Sequence, residues 1–219
     1  MINIAIDGTS GSGKSSVAKE VAKRLGFLHL NTGELYRAFA YYVIKNDIDY
    51  RSEVALQEVA NKILINVDYS LGSEQRTMLN GEYVDSSILH SDEVSKMSAV
   101  VSAYPCVRNR VKEEQRYTAH KNNVVVEGRD IGTVVLPLAT YKFFLTASPE
   151  ERAKRRYKQL VEVGEEVTYE GVLEGIKKRD ELDTTRKTSP LKKADDAILV
   201  DSTDMTFEQV VEFILDKVK

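Results

Sequence analysis

Short apolar runs alternate with amphipathic stretches along most of the chain. Residues 2–6 (INIAI) are largely apolar and end at Asp7-Gly8, as in a buried parallel strand. Beyond a glycine-rich loop, Val17, Val21 and Leu25 recur every four residues with Ala18 and Ala22 beside them, which predicts a helix stopped by Gly26. FLHL (27–30) predicts a second strand. Thr32-Gly33 then opens a helix running to about Asn46, with Thr32 as its cap. EVALQEVANKI predicts a further helix. ILINVDYS and RTMLNGEYVD predict short strands, with Asn80-Gly81 as a hairpin turn. Residues 92–119 predict helix with a break at Pro105. Three more strands are expected at 124–126, 141–145 and 197–201. A charged helix should start near Pro149 and another should cover about 169–182. In the last helix, FEQVVEFILDKV, Val210, Phe213, Ile214 and Val218 share a face.

Strands alternating with helices imply an α/β fold: a parallel five-stranded sheet with helices on both faces and ligands at the carboxyl ends of the strands. Residues 48–95 depart from that alternation and predict a small antiparallel insert. No repeat and no linker-like stretch interrupts the 219 residues, so a single domain is expected.

Composition narrows the classes. Hydrophobic residues make up 42% and charged residues 30%, which excludes a disordered or collagen-like chain. Cys106 is the one cysteine, so neither an intrachain disulfide framework nor a Cys-based zinc site is possible, in keeping with a reducing cytoplasm. No apolar run approaches the roughly 20 residues of a membrane span, and MINIAIDGTS does not read as a secretory leader. The net charge of -3 disfavours a broad nucleic-acid-binding surface. Local positive charge can still hold a small anion.

Gly8-Thr9-Ser10-Gly11-Ser12-Gly13-Lys14-Ser15 matches the phosphate-binding pattern GxxxxGK[ST], and Ser16 follows it. The glycines let successive backbone N–H groups turn toward one anion. Lys14 supplies a charge for the outer phosphates, and Ser15 offers a hydroxyl to a magnesium ion. The match lies between a strand and an amphipathic helix, as the mechanism requires. Arg37, in Asn31-Thr32-Gly33-Glu34-Leu35-Tyr36-Arg37, reads either as a surface arginine or as an anion ligand. Glu127-Gly128-Arg129-Asp130 ends a strand, where a salt-bridged turn competes with a place on the floor of the site. Arg152, Arg155 and Arg156 share one helix face, which suits a polyphosphate clamp. Arg179, Asp183 and Arg186 share a face if their helix persists, although an ordinary Arg–Asp pair explains part of that spacing. His29, His90 and His120 have no metal-ligand spacing.

Together these segments resemble the bacterial cytidylate kinase family of nucleoside-monophosphate kinases. The resemblance is carried by IAIDGTSGSGKSS, LNTGELYRAFA, AYPCVRNRV, EGRDIGTVVLP, ASPEERAKRRYKQL and IKKRDELDTTRKTSPLKKADDAILVDST, in order and nearly end to end. It implies a phosphate-loop core of about 1–47 and 105–219, a helical lid of about 150–168, and a monophosphate-binding region with its insert at about 48–104. It further implies ATP phosphates on residues 8–16, with Lys14 on the transferred group and Ser15 on magnesium. Arg155 and Arg156 would also meet ATP. The monophosphate falls to Arg37, Arg129 and either Arg179 or Arg186. Asp130 and Arg108 read cytosine with Thr32 close by, and Asp183 takes the ribose hydroxyls. Lys14, Arg129, Arg152, Arg156 and Arg186 form the implied catalytic set. The implied partners are ATP and CMP or dCMP, with no nucleic acid or membrane, and the chain is expected to be a monomer.

This chain departs from the family pattern in places. Glu127 stands where an aspartate is common. Ala99 stands where a serine is usual, with Ser98 and Ser102 nearby. The loop GTSGSGKSS differs mildly from the commoner GPxxxGKST. An adenylate-type kinase is the alternative within enzymes, and the Asp130–Arg108 pair argues against it. A nucleotide-dependent switch is the alternative outside them, but arginines spread over separate segments suit an enclosed two-substrate site better.

Overall fold

The computed structural model describes residues 1–72 and 74–218. In chain order it comprises β1 (Asn3–Gly8), α1 (Lys14–Leu25), β2 (Leu28–Asn31), α2 (Thr32–Lys45), α3 (Glu53–Lys62), β3 (Ile65–Asp68), β4 (Arg76–Leu79) and β5 (Glu82–Tyr83). Then follow α4 (Ser86–Leu89), α5 (Asp92–Val101), α6 (Pro105–Lys121), β6 (Val124–Gly128), a π-helical turn (Ile131–Val135) and β7 (Tyr141–Thr146). The chain closes with α7 (Pro149–Glu162), α8 (Tyr169–Thr185), β8 (Ile198–Asp201) and α9 (Phe207–Lys217).

Five strands form a parallel sheet in the order β2-β6-β1-β7-β8. Its period-2 alternation divides the core. Ala5, Leu30, Val124 and Val126 face α2, α3 and α6, while Ile4, Ile6, Val125 and Phe143 face α1 and α9. Val210, Val211 and Ile214 of α9 are fully packed there, with Phe213 and Val218 at the margin. From the adjacent strands β1 and β7 the chain leaves toward β2 on one side and β8 on the other. A crevice therefore opens above their carboxyl ends. β3, β4 and β5 form a separate antiparallel sheet. Leu79 pairs with Glu82 across the two-residue turn Asn80-Gly81, both with positive φ, as the expected hairpin requires.

Several elements differ from expectation. Asn31, not Thr32, caps α2: its side chain accepts from Gly33 N–H at 3.1 Å. Thr32 is helical, and its hydroxyl donates to the Glu127 carbonyl at 2.7 Å, tying α2 to β6. α8 ends at Thr185, so Arg186 leaves the helix in an extended conformation instead of continuing its face. The π-helical turn was not expected. It forms because Asp7, at the end of β1, accepts from the N–H groups of Ile131 at 2.8 Å and Gly132 at 2.7 Å. The turn then closes wide, with Leu136 N–H donating to Ile131 O. The short helix α4 was likewise unforeseen.

Candidate active site

The phosphate loop runs from β1 into α1. Gly8 pairs with Leu145 in the sheet, and a Cβ on it would sit 1.8 Å from the Leu145 carbonyl oxygen, so only glycine fits. Gly13 caps α1 with a left-handed backbone, φ 86°, and turns the first helical N–H groups toward the crevice. Lys14 is buried and donates to the Thr9 carbonyl at 2.6 Å. Burial, reinforced by Arg129, pushes its ammonium well below the usual lysine range. An anion placed beside Lys14 reverses that penalty.

A cleft of about 820 Å³ opens above this loop. The loop contributes Ser10, Gly11, Gly13, Lys14, Ser15 and Ser16 to its lining. Facing them are Thr32 and Arg37 from α2, Arg108 from α6, and Arg129 and Asp130 beyond β6. Arg155 and Arg156 of α7, Arg179 of α8 and Arg186 close the remaining side. The segments that the sequence singled out thus converge on one space. Two guanidinium nitrogens there, Arg37 Nε and Arg186 Nη2, are buried with no hydrogen-bond partner among the described residues. Buried donors of this kind suit an incoming anion.

Asp183 is 3% exposed and lies behind the arginines. It accepts from Arg129 Nε at 2.8 Å and Arg179 Nε at 3.3 Å, and Arg186 Nη1 lies 3.7 Å away. Burial pushes its carboxyl up, but Arg129, Arg179 and Arg186 outweigh that and hold it below the ordinary range. The three residues expected on one helix face therefore do meet, though Arg186 arrives from beyond the helix.

Arg108 and Asp130 form a second buried pair. Arg108 Nη2 donates to Asp130 Oδ2 at 2.6 Å, and Nη1 reaches the Ser102 carbonyl at 3.2 Å. The Tyr36 ring lies 5.4 Å from the guanidinium, and burial pushes its hydroxyl up to about 12. Ser95, Ser98, Ala99 and Ser102 line the same end of the cleft, so hydroxyls stand near the Ala99 departure.

Ser15 Oγ donates to Glu127 Oε2 at 2.8 Å, and Glu127 Oε1 is buried without a hydrogen-bond partner, 3.4 Å from His29 Nε2. Burial raises the Glu127 carboxyl, but His29, Lys14 and Ser15 together lower it below the usual range, so it stands as an anion. A hydroxyl and a spare carboxylate oxygen make a donor set for a hard divalent cation. Among the described residues no group of three or more His, Cys, Asp and Glu side chains could hold a metal, so a cation at Ser15 would complete its shell with ligand oxygens and water.

Other expected residues lie apart from the cleft lining. Ser12 is buried and donates to the Thr9 carbonyl at 3.0 Å. Arg152, expected in the phosphate clamp, sits beneath the loop instead. It is 2% exposed and donates to Ala147 O, to Ser10 O and, in a fork, to both oxygens of Asp180. Its donors are taken by the protein itself. Arg155, by contrast, does line the cleft while donating to the Ser202 carbonyl at 2.7 Å. The sequence reading missed Asp180, Asp7, His29 and His90. His90 Nε2 lies 3.2 Å from Arg37 Nη2, and its Nδ1 lies 2.8 Å from Ser86 O. Nδ1 must donate to that carbonyl, which leaves Nε2 to accept from Arg37. The Asp7-Gly8 step was the one local signal for this set.

A family model described as cytidylate kinase matches residues 4–219. The chain is 50% identical over 218 residues to a cytidylate kinase from Caldanaerobacter subterraneus subsp. tengcongensis, covering 100% of this chain and 95% of the relative. It is 46% identical over 215 residues to a cytidylate kinase from Carboxydothermus hydrogenoformans, covering 98% and 96%. Among solved structures it is similar in fold to an uncharacterized protein from Eubacterium ventriosum, with a TM-score of 0.52 at 16% identity over 100% of this chain and 98% of the other. With the phosphate loop, the buried Arg108–Asp130 pair and the arginine cluster in one cleft, the chain belongs to the cytidylate kinase family.

Proposed function

We propose that the chain transfers the γ-phosphoryl group of ATP to CMP or dCMP, giving ADP and CDP or dCDP. The observation that carries this reading is the make-up of the cleft. A phosphate loop forms one wall, a buried Arg–Asp pair suited to a nucleobase edge forms the other, and partly unpaired arginines lie between them.

Phosphoryl transfer needs alignment and charge stabilisation more than covalent chemistry. The loop amides and Lys14 hold the ATP phosphates, with Arg155 and Arg156 over the nucleotide from α7. Arg37, Arg129 and Arg186 hold the monophosphate, and Asp183 keeps its arginines in register through the ion pairs at its carboxylate. Lys14, Arg129, Arg156 and Arg186 neutralise charge on the group in flight. The acceptor phosphate is already anionic, so no general base is required. Cytosine offers an amino donor to Asp130, and Arg108 donates to its ring acceptors. Ser15, beside Glu127, would hold a magnesium ion, which when bound would supply charge neutralisation on the ATP phosphates. Residues about 150–168 act as the lid, whose closure excludes water that would otherwise hydrolyse ATP. Residues about 48–104 supply the monophosphate-binding region, and the core spans about 1–47 and 105–219. A monomer acting in the cytoplasm fits this reading. No helix among the described residues is long and apolar enough to cross a membrane.

The test is ³¹P NMR of ATP, CMP and magnesium with the purified chain. Loss of the ATP γ signal should match growth of the CDP β signal. Conversion to inorganic phosphate instead would overturn the reading.

A further inference from the structure

β2 is an edge strand of the main sheet, so its outer backbone groups have no neighbouring strand to pair with. Two insert side chains take that place. Tyr69, after β3, donates its hydroxyl to the His29 carbonyl at 2.9 Å. Gln75, just before β4, accepts from Asn31 N–H at 2.8 Å and donates back to the Asn31 carbonyl at 3.3 Å. A single primary amide thus supplies the acceptor and the donor that a strand would. The same Gln75 amide lies 3.3 Å from Glu34 Oε2 and 3.1 Å from Thr77 Oγ1, and Thr77 donates to Glu34 at 3.1 Å.

These contacts end where the monophosphate side begins. Asn31 caps α2, and Thr32 is the next residue. Glu34 is the leading anion acting on Arg37, and His90 Nε2 stands 4.0 Å from it. The insert has other anchorage, because Ile65 and Leu79 are packed in the main core. The Lys19–Glu74 ion pair nearby is exposed on both sides and contributes little.

We infer that Gln75 is a positioning residue through which the antiparallel insert fixes the β2–α2 junction at Asn31–Gly33 and the Glu34 carboxylate, and so sets the geometry of the CMP side of the cleft. The inference rests on the CMP reading above and deepens it. Gln75 touches no substrate. It acts through Asn31 and Glu34.

Calorimetric titration of wild type, Gln75→Met and Gln75→Glu with CMP and with ATP, beside melting curves, tests it. Gln75→Met keeps the length but loses the amide. It should weaken CMP binding about tenfold, the scale of one to two net hydrogen bonds, with ATP binding unchanged. Gln75→Glu keeps an acceptor for Asn31 N–H but sets a carboxylate against Glu34, so it should weaken CMP more than Gln75→Met does. Adding Glu34→Gln to Gln75→Glu restores a donor–acceptor pair and should recover CMP affinity toward wild type. A role in packing alone would not respond to that charge exchange. Equal loss for ATP and CMP, no loss in Gln75→Met, or no recovery in the double variant would overturn the inference. If wild type itself fails to bind CMP, the reading of the site falls instead.

Discussion

Arg152→Ala separates a structural role for this side chain from a direct one on phosphate. Arg152 is 2% exposed and spends Nε on Ala147 O, Nη1 on Ser10 O, and its fork on Asp180, whose side chain is 21% exposed. It therefore joins β7's exit, the phosphate loop and α8 at one point. Breaking a buried ion pair by removing one partner costs about 3–5 kcal/mol. The two carbonyls left without a donor add to that, while water reaching the partly exposed Asp180 subtracts from it. A net loss of about 3 kcal/mol corresponds to a Tm drop of roughly 6–12 °C for a domain of this size. Scanning calorimetry of wild type, Arg152→Ala, Asp180→Ala and the double variant reads both the loss and the coupling. The double variant should be far less destabilised than the two single changes added together. A Tm within about one degree of wild type in Arg152→Ala, paired with a collapse in kcat, would refute the buried-joint account and return Arg152 to the phosphate clamp.

Lys14→Ala should reduce turnover to near background while Tm holds or rises, because burial already disfavours its charge in the free protein; paired steady-state kinetics and melting curves check both halves. Asp183→Asn should raise KM for CMP and dCMP well above its effect on KM for ATP, since it removes the counter-charge of Arg129, Arg179 and Arg186; a fall in Tm with unchanged kinetics would contradict this. Burial raises the Asp7 carboxyl from 3.8 to about 6, so the stability it contributes is full below pH 3.8 and is lost as pH rises through 6. At 1.36 kcal/mol per pH unit that amounts to about 3 kcal/mol. The stability advantage of wild type over Asp7→Asn should shrink by most of that amount between pH 4 and 7, and chemical denaturation across that range would expose a flat difference.

What could be read from the chain were features whose cause is local. The five core strands follow from apolar runs such as those at 124–126 and 141–145. The phosphate loop follows from glycine spacing, and the hairpin from Asn80-Gly81. Elements whose cause is tertiary could not be read in this way. Asn31 and Thr32 can each cap a helix. The choice falls to Asn31 because the Thr32 hydroxyl is claimed by the Glu127 carbonyl, 95 residues away. The π-helical turn exists because the Asp7 carboxylate lies under it across the sheet. Arg152 shares a face with Arg155 and Arg156 in the sequence, yet its partner is Asp180 on another helix. His90 carries no metal-ligand spacing, and its contact with Arg37 depends on how α4 packs beside α2. Asp183 was legible as a partner of Arg179, whereas its hold on Arg129 from another segment became evident only in three dimensions.

Whether this cleft hands a phosphoryl group to a cytosine nucleotide is decided by kcat/KM for CMP, dCMP, UMP and AMP with ATP and magnesium, in wild type and Asp130→Asn. Uracil sets a carbonyl against the buried Asp130 carboxylate. An unpaired buried group costs about 1–3 kcal/mol, more when it is charged, so CMP should exceed UMP by roughly 10-fold to several hundred-fold. Asp130→Asn can turn its NH₂ toward that carbonyl and should narrow the ratio chiefly by losing CMP activity. Wild type preferring AMP would rule out a cytosine site, and a CMP/UMP ratio unmoved by Asp130→Asn would show that Asp130 does not read the base.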